Sequence, residues 1–198
     1  MKTNRPIPFE VHLTISEITQ ERVASFSDCC NRLSARPLLI ELSKGTCIQQ
    51  PMLYAVLSTN SYQEVLQQCD SYTESLIAND FFVKRSKIEI PADHAFSWIN
   101  DGDYPPYFEW RGKIDFIKKE ELMRLCELYN VRLSQNALRN DPDNRFITLR
   151  EYADEELFQA RVKAVKNGLT KGGWNLQKQQ FEYCIYDTNR SMDAGWLD

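Results

Sequence analysis

From residue 9 to residue 15 the chain alternates, with apolar Phe9, Val11, Leu13 and Ile15 separated by polar Glu10, His12 and Thr14. A period of two predicts a half-buried strand over 8–15. Val23, Phe26, Cys30 and Leu33 then recur at helical spacing, with Ser16 or Thr19 placed to cap the helix. Residues 37–42 and 52–59 read as the next two strands, 62–77 as a second helix and 82–90 as a closing strand. The same order then returns, with strands near 107–116, 131–138, 145–152 and 176–187 and helices near 118–129 and 154–169.

The return carries a sequence echo. Moved by 99 positions, residues 9–15 fall on 108–114, and Val23 and Phe26 fall on Leu122 and Leu125. Past about residue 50 the offset becomes 93, which sets Tyr54 and Val56 on Ile147 and Leu149, and Arg85, Ile88 and Glu89 on Lys178, Phe181 and Glu182. The six-residue change is assigned to the loop 44–51. The expected fold is α+β: a tandem duplication of a ferredoxin-like βαββαβ unit, forming two lobes around a polar cleft. The expected limits are 1–90 for the first lobe, 91–106 for an ordered connector rich in aromatic residues, 107–187 for the second lobe, and 188–198 for a tail in which Trp196 docks.

Alternation also assigns faces. Val11, Leu13, Ile15, Ile88 and Ile90 go beneath the helices. Glu10, His12, Thr14, Arg85, Lys87 and Glu89 share the opposite face, as do Glu109, Arg111, Lys113, Asp115, Lys178, Gln180 and Glu182 in the second copy. Leu39, Leu53, Ala55, Leu57 and Phe146 read as an apolar part of that open face, so the lobes are expected to pack through it and leave the ionic part lining the cleft. Glu10, Thr14, Arg85, Lys87, Glu109, Arg111 and Lys113 are the candidate ligand-binding residues. Their bases suit phosphate or carboxylate. Glu10, Glu89, Glu109 and Glu182 would hold those bases in place, neutralise them as a purely structural ion-pair network, or share a divalent cation with the ligand; the residue spacing assigns no resident metal or cofactor.

Composition narrows the classes. Hydrophobic residues at 42% and charged residues at 26% describe a folded globular chain. A net charge of −4 disfavours duplex nucleic acid, and the first and fourth strands offer no open-face aromatics as a single-strand platform. There is no apolar run of membrane length, and the start Met1-Lys2-Thr3-Asn4-Arg5-Pro6 leads into a strand rather than a signal core, so the expectation is a cytoplasmic protein with no membrane partner. The six cysteines show no disulfide or metal spacing and read as buried thiols. Cys47, in the asymmetric loop, is a candidate nucleophile with His12 as its base. A non-enzymatic alternative is a protein-interaction module that uses the open sheet faces and the aromatic connector, with Trp98, Tyr104 and Tyr107 recognising a protein partner.

His12-Leu13-Thr14 is an H-x-T motif, and with two expected lobes around a cleft the chain resembles the two-histidine phosphoesterases, which include cyclic phosphodiesterases and RNA-ligase-like enzymes. The resemblance implies a catalytic His12 and a phosphate held by Thr14. The second copy carries Arg111-Gly112-Lys113 at that place, and the other histidine, His94, lies in the connector. Glu10-x-His12-x-Thr14 and Glu109-x-Arg111-x-Lys113 are also distantly similar to the E-x-E-x-K of triphosphate-tunnel enzymes, which line a barrel with acids for metal and bases for phosphate; the central acid is missing from both. The expected function is binding of a small anionic, phosphorylated ligand in an inter-lobe cleft, where phosphoester hydrolysis is the reaction such a site would allow.

Overall fold

Side-chain caps start the second helix of each half: Ser61 Oγ accepts from the Glu64 amide at 3.3 Å and Asp154 Oδ1 from the Leu157 amide at 2.8 Å. The computed structural model describes residues 6–97, 105–139 and 141–197. Its strands are β1 (Ile7–Ile15), β2 (Arg36–Leu42), β3 (Gln49–Thr59), β4 (Val83–Pro91), β5 (Tyr107–Asp115), β6 (Arg132–Asn136), β7 (Asn144–Glu151) and β8 (Leu176–Asp187). Its helices are α1 (Val23–Arg32), α2 (Tyr62–Ile77), α3 (Lys119–Leu128) and α4 (Glu155–Gly172). The strands form one closed antiparallel barrel in the order β1-β3-β2-β6-β7-β5-β8-β4. No helix among the described residues is long and apolar enough to cross a membrane.

Closure overturns the expectation of a two-lobed tandem ferredoxin-like protein. Neighbouring strands run β4-β1-β3-β2 in the first half and β8-β5-β7-β6 in the second, yet neither set stands as a lobe. Ile40 faces Asn136 across the β2–β6 seam, and Lys87 faces Asp187 across the β4–β8 seam. The halves therefore join by backbone hydrogen bonds at both edges rather than by packing sheet faces. An open sheet leaves rows of unpaired N–H and C=O groups along its edges, and pairing both edges removes them. There is no inter-lobe cleft; the enclosed space is a barrel lumen.

The apolar open face is misassigned on β2 and β3, although Phe146 of β7 does face the lumen. Leu53 pairs with Leu13, Ala55 with Val11 and Leu57 with Phe9, and residues directly opposite in a ladder share a face. Leu53 and Ala55 are accordingly buried with Val11, Leu13 and Ile88 against Phe26 and Cys30 of α1 and Val65 and Leu76 of α2. Leu39 faces Pro51 and so has the parity of Leu53. The lumen instead receives Gln50, Met52 and Tyr54 from β3 and Leu38, Ile40 and Leu42 from β2. A second core, around Trp110, Ile147 and Phe158, lies beneath α3 and α4.

Register explains the error. His12 pairs with Tyr54 and Arg111 with Thr148. The first members are 99 apart, but the second are 94 apart. Arg36 and Arg132, the next partners outward, are 96 apart, and Lys87 and Gln180, on the other side of β1 and β5, are 93 apart. The length change is thus spread over three connections and not confined to the 44–51 loop. An offset of 93 is one residue out on β3, and a slip of one residue turns a strand over.

The chain after β8 folds back over the barrel. A 3-10 turn at Arg190–Asp193 leads to Trp196 and Leu197, which pack on Leu42. The loop between β2 and β3 receives this segment at Gly45, whose φ of +117° favours glycine and where a Cβ would lie 3.1 Å from the Ala194 carbonyl oxygen. Trp98 and Tyr104 of the connector lie outside the described residues, and Tyr107 is buried, 1% exposed.

Candidate functional site

The lumen holds a cavity of about 230 Å³. Inward-facing positions of β1, β4 and β5 bring together His12 and the candidate ligand-binding residues: Glu10 and Thr14, Arg85 and Lys87, and Glu109, Arg111 and Lys113. The facing wall is apolar, built from Leu38, Ile40, Leu42, Met52, Phe146 and Trp196. Sequence reading missed Arg36, Tyr54, Arg139, Arg150, Asp193 and Trp196 as lining residues. The alternation of Phe146, Thr148 and Arg150 along β7 was a usable signal for Arg150. Nothing in the sequence pattern points Asp193 inward.

The deeper bases are already neutralised. Lys87 Nζ lies 2.7 Å from Glu89 Oε1 and 3.0 Å from Glu109 Oε1. Arg111 Nη2 lies 2.9 Å from Glu89 Oε2 and also bonds Glu182. Arg150 Nη2 is 2.9 Å from Glu109 Oε2. Arg85 makes a two-pronged bond to Asp187 at 2.8 and 2.6 Å, and Tyr107 Oη donates to the same carboxylate at 2.7 Å. Nearer solvent, Lys113 Nζ pairs with Asp141 at 2.8 Å. Each of these candidate bases is thus paired with a carboxylate, and for the buried ones a counter-ion is what makes an enclosed guanidinium or ammonium tolerable.

Glu89, Glu109 and Glu182 each place a carboxylate oxygen within 4.8 Å of the others. Lys87 and Arg111 bond those carboxylates, so the acids are cross-linked by bases rather than left to share a cation. The lumen is thus a barrel interior carrying both signs, with its three clustered acids held by bases.

His12 is 5% exposed and packs edge-on to the Tyr54 ring, with centroids 5.1 Å apart. Its Nε2 lies 3.0 Å from Glu89 Oε2 and 3.9 Å from Glu10 Oε2, close enough for attraction but off the line of a good ring N–H hydrogen bond. Burial pushes the His12 pKa down. Glu89 pulls it back up in part, and Arg111 and Lys87 push it down again, so the ring is neutral at neutral pH. Burial pushes the Glu89 carboxyl up, but the charges of Lys87 and Arg111 outweigh that and hold it well below the ordinary range. Glu182 goes the other way, raised by burial against the pull of Arg111. Neither Cys47 nor His94 lines the lumen, so the thiol–imidazole pair and the second proton-transfer group are not brought to His12.

The other side of the lumen differs. Arg36, Arg139 and Lys178 line the cavity and are exposed, which places them where it meets solvent. Arg36 lies over the Tyr54 ring at 5.4 Å. Among the described residues none of the three has an acidic partner.

Strand closure and lining together define an eight-stranded antiparallel barrel with a half-apolar, half-ionic interior and a basic mouth. No protein-family model and no curated protein sequence matches the chain. Among solved structures it is similar to the acetolactate synthase small subunit from Thermotoga maritima at 12% identity, covering 92% of this chain and 97% of that one with a TM-score of 0.32. It is also similar to a protein described as a monooxygenase from Fusobacterium nucleatum at 11% identity, covering 95% and 96% with a TM-score of 0.36. A third is the regulatory subunit of aspartate kinase from Thermus thermophilus at 9% identity, covering 82% and 92% with a TM-score of 0.33. Scores this low carry neither fold nor function across, and the description of the barrel rests on its own strand pairing.

Proposed function

We propose that the barrel binds a small organic anion with an apolar body inside its lumen. One observation carries this reading: the bases at the mouth, Arg36, Arg139 and Lys178, have no acidic partner among the described residues, while the wall inside them is apolar. A headgroup held by those bases would leave the body against Leu38, Ile40, Met52 and Phe146, where each Å² of apolar surface removed from water contributes about 25 cal/mol. A cleft with a few placed polar groups and a largely apolar lining is the usual form of a small-molecule site. A second reading keeps this site and adds chemistry to it, since a neutral His12 beside Glu89 is suited to accept a proton from a bound ligand.

The test is a melting screen at fixed ionic strength with aliphatic and aromatic carboxylates, sulfonates and phosphomonoesters. Ligands with an apolar body should raise the melting temperature of the native chain, by an amount equivalent to about 2.7 kcal/mol at a hundredfold excess over Kd. Arg139→Ala combined with Lys178→Ala should weaken the response without lowering the melting temperature of the unliganded protein. A panel in which no ligand shifts the wild type overturns the reading.

A further inference from the structure

We infer that Arg85, Arg150 and Gln50 form a second carboxylate-binding site at the closed end of the lumen, which the chain fills in cis with Asp193 and which accepts a free monocarboxylate once that side chain is removed. Asp193 is carried in from outside the barrel wall, on the 3-10 turn that follows β8, yet it is 2% exposed. Its Oδ2 lies 2.8 Å from Arg150 Nη2 and 3.0 Å from Arg85 Nη2, and its Oδ1 accepts from Gln50 Nε2 at 3.2 Å. Those three groups come from three different strands and converge on one carboxylate.

Two features separate this from an ordinary ion pair. Each guanidinium already has a carboxylate from the barrel, Asp187 for Arg85 and Glu109 for Arg150, so Asp193 is a third acid inserted between two arginines that are already paired. The turn that carries it is also anchored without it: Gln50 Nε2 donates to the Met192 carbonyl at 3.2 Å, the Thr46 amide to the Ala194 carbonyl at 3.1 Å, and Trp196 Nε1 to the Leu133 carbonyl at 3.1 Å. Removing the carboxylate should therefore leave a bounded hole of carboxylate size, with guanidinium forks and an amide still aimed into it. Burial pushes the Asp193 carboxyl up, and Arg85 and Arg150 outweigh this and keep it ionised. An intramolecular carboxylate acts at high effective concentration, so the intact protein should ignore free acetate.

The experiment is chemical rescue in the full chain. Asp193→Ala is expected to melt below wild type in chloride and to recover in formate or acetate at equal ionic strength, with a saturable midpoint on the order of millimolar. Wild type should not respond, and Asp193→Asn, which keeps the volume without the charge, should respond far less than Asp193→Ala. If Asp193→Ala does not fold in chloride, refolding in acetate should restore native protein. Equal acetate responses in wild type and Asp193→Ala overturn the inference, and so does an Asp193→Ala chain that stays unfolded in both salts.

Discussion

At the closed end of the lumen Arg85 meets Asp187 and Asp193, Lys87 meets Glu89 and Glu109, and Arg150 meets Glu109 and Asp193. At the mouth Arg36, Arg139 and Lys178 face the same cavity with no acid against them among the described residues. A list of cations would treat the two ends alike. Their difference is desolvation. A deeply buried base costs several kcal/mol unless the fold provides its counter-ion, whereas solvent screens an exposed base and leaves it available to a ligand. Positive charge inside a barrel marks a binding site where it has not been neutralised from within.

The largest expected effect lies at the closed end. Glu89 is fully buried and shared by Lys87, Arg111 and His12. Glu89→Gln should lower unfolding free energy by roughly 3–5 kcal/mol in urea, the usual result of breaking a buried pair from one side. A loss below about 1 kcal/mol would break the contrast, because the closed end would then not depend on its internal pairing.

Next in size is a contrast across the barrel wall. Leu53 is buried under the helices and Met52, beside it in sequence, faces the lumen. Leu53→Asp should cost several kcal/mol, roughly 3, through an unpaired charge in a dry core. Met52→Thr should cost clearly less and should alter ligand response instead. Equal losses in both variants would contradict the face assignment.

A smaller effect concerns pH. Burial lowers the His12 pKa in the folded protein, with Glu89 pulling in the other direction. The unfolded chain takes up a proton on this ring as pH falls below about 6.5, before the native state does. The His12 contribution is therefore complete above that value and is lost as pH falls toward the folded pKa. Between about pH 7.5 and 5.5, His12→Gln should lose less stability than wild type; parallel curves would show that His12 is not held neutral. The smallest effect on stability is expected at the mouth, where Arg139→Ala and Lys178→Ala should leave the melting temperature unchanged and alter ligand response alone.

Much of the lumen was legible because β1, β4, β5 and β8 alternate cleanly. Glu10, His12 and Thr14 on one strand and Glu109, Arg111 and Lys113 on another could be set on one face without coordinates, and the cavity does collect them. Which acid meets which base was not legible. Alternation tells which way Lys87 points but cannot tell that Glu109 waits 3.0 Å away on a strand from the other half. The parity of β3 is misread because the offset between the halves drifts from 99 through 96 and 94 to 93, and an error of one residue turns a strand over.

By itself the sequence determined the order of elements, the amphipathic faces of the helices, and the polar row on each well-alternating strand, since these depend on periodicity within a single segment. Closure of the barrel, the pairing of each base and the insertion of Asp193 were decided by the tertiary structure. The seams are made by backbone N–H and C=O groups that every residue carries, so no side-chain pattern announces which edges will meet. The ion pairs join residues such as Arg85 and Asp187, 102 positions apart in the chain, whose approach depends on strand order and stagger.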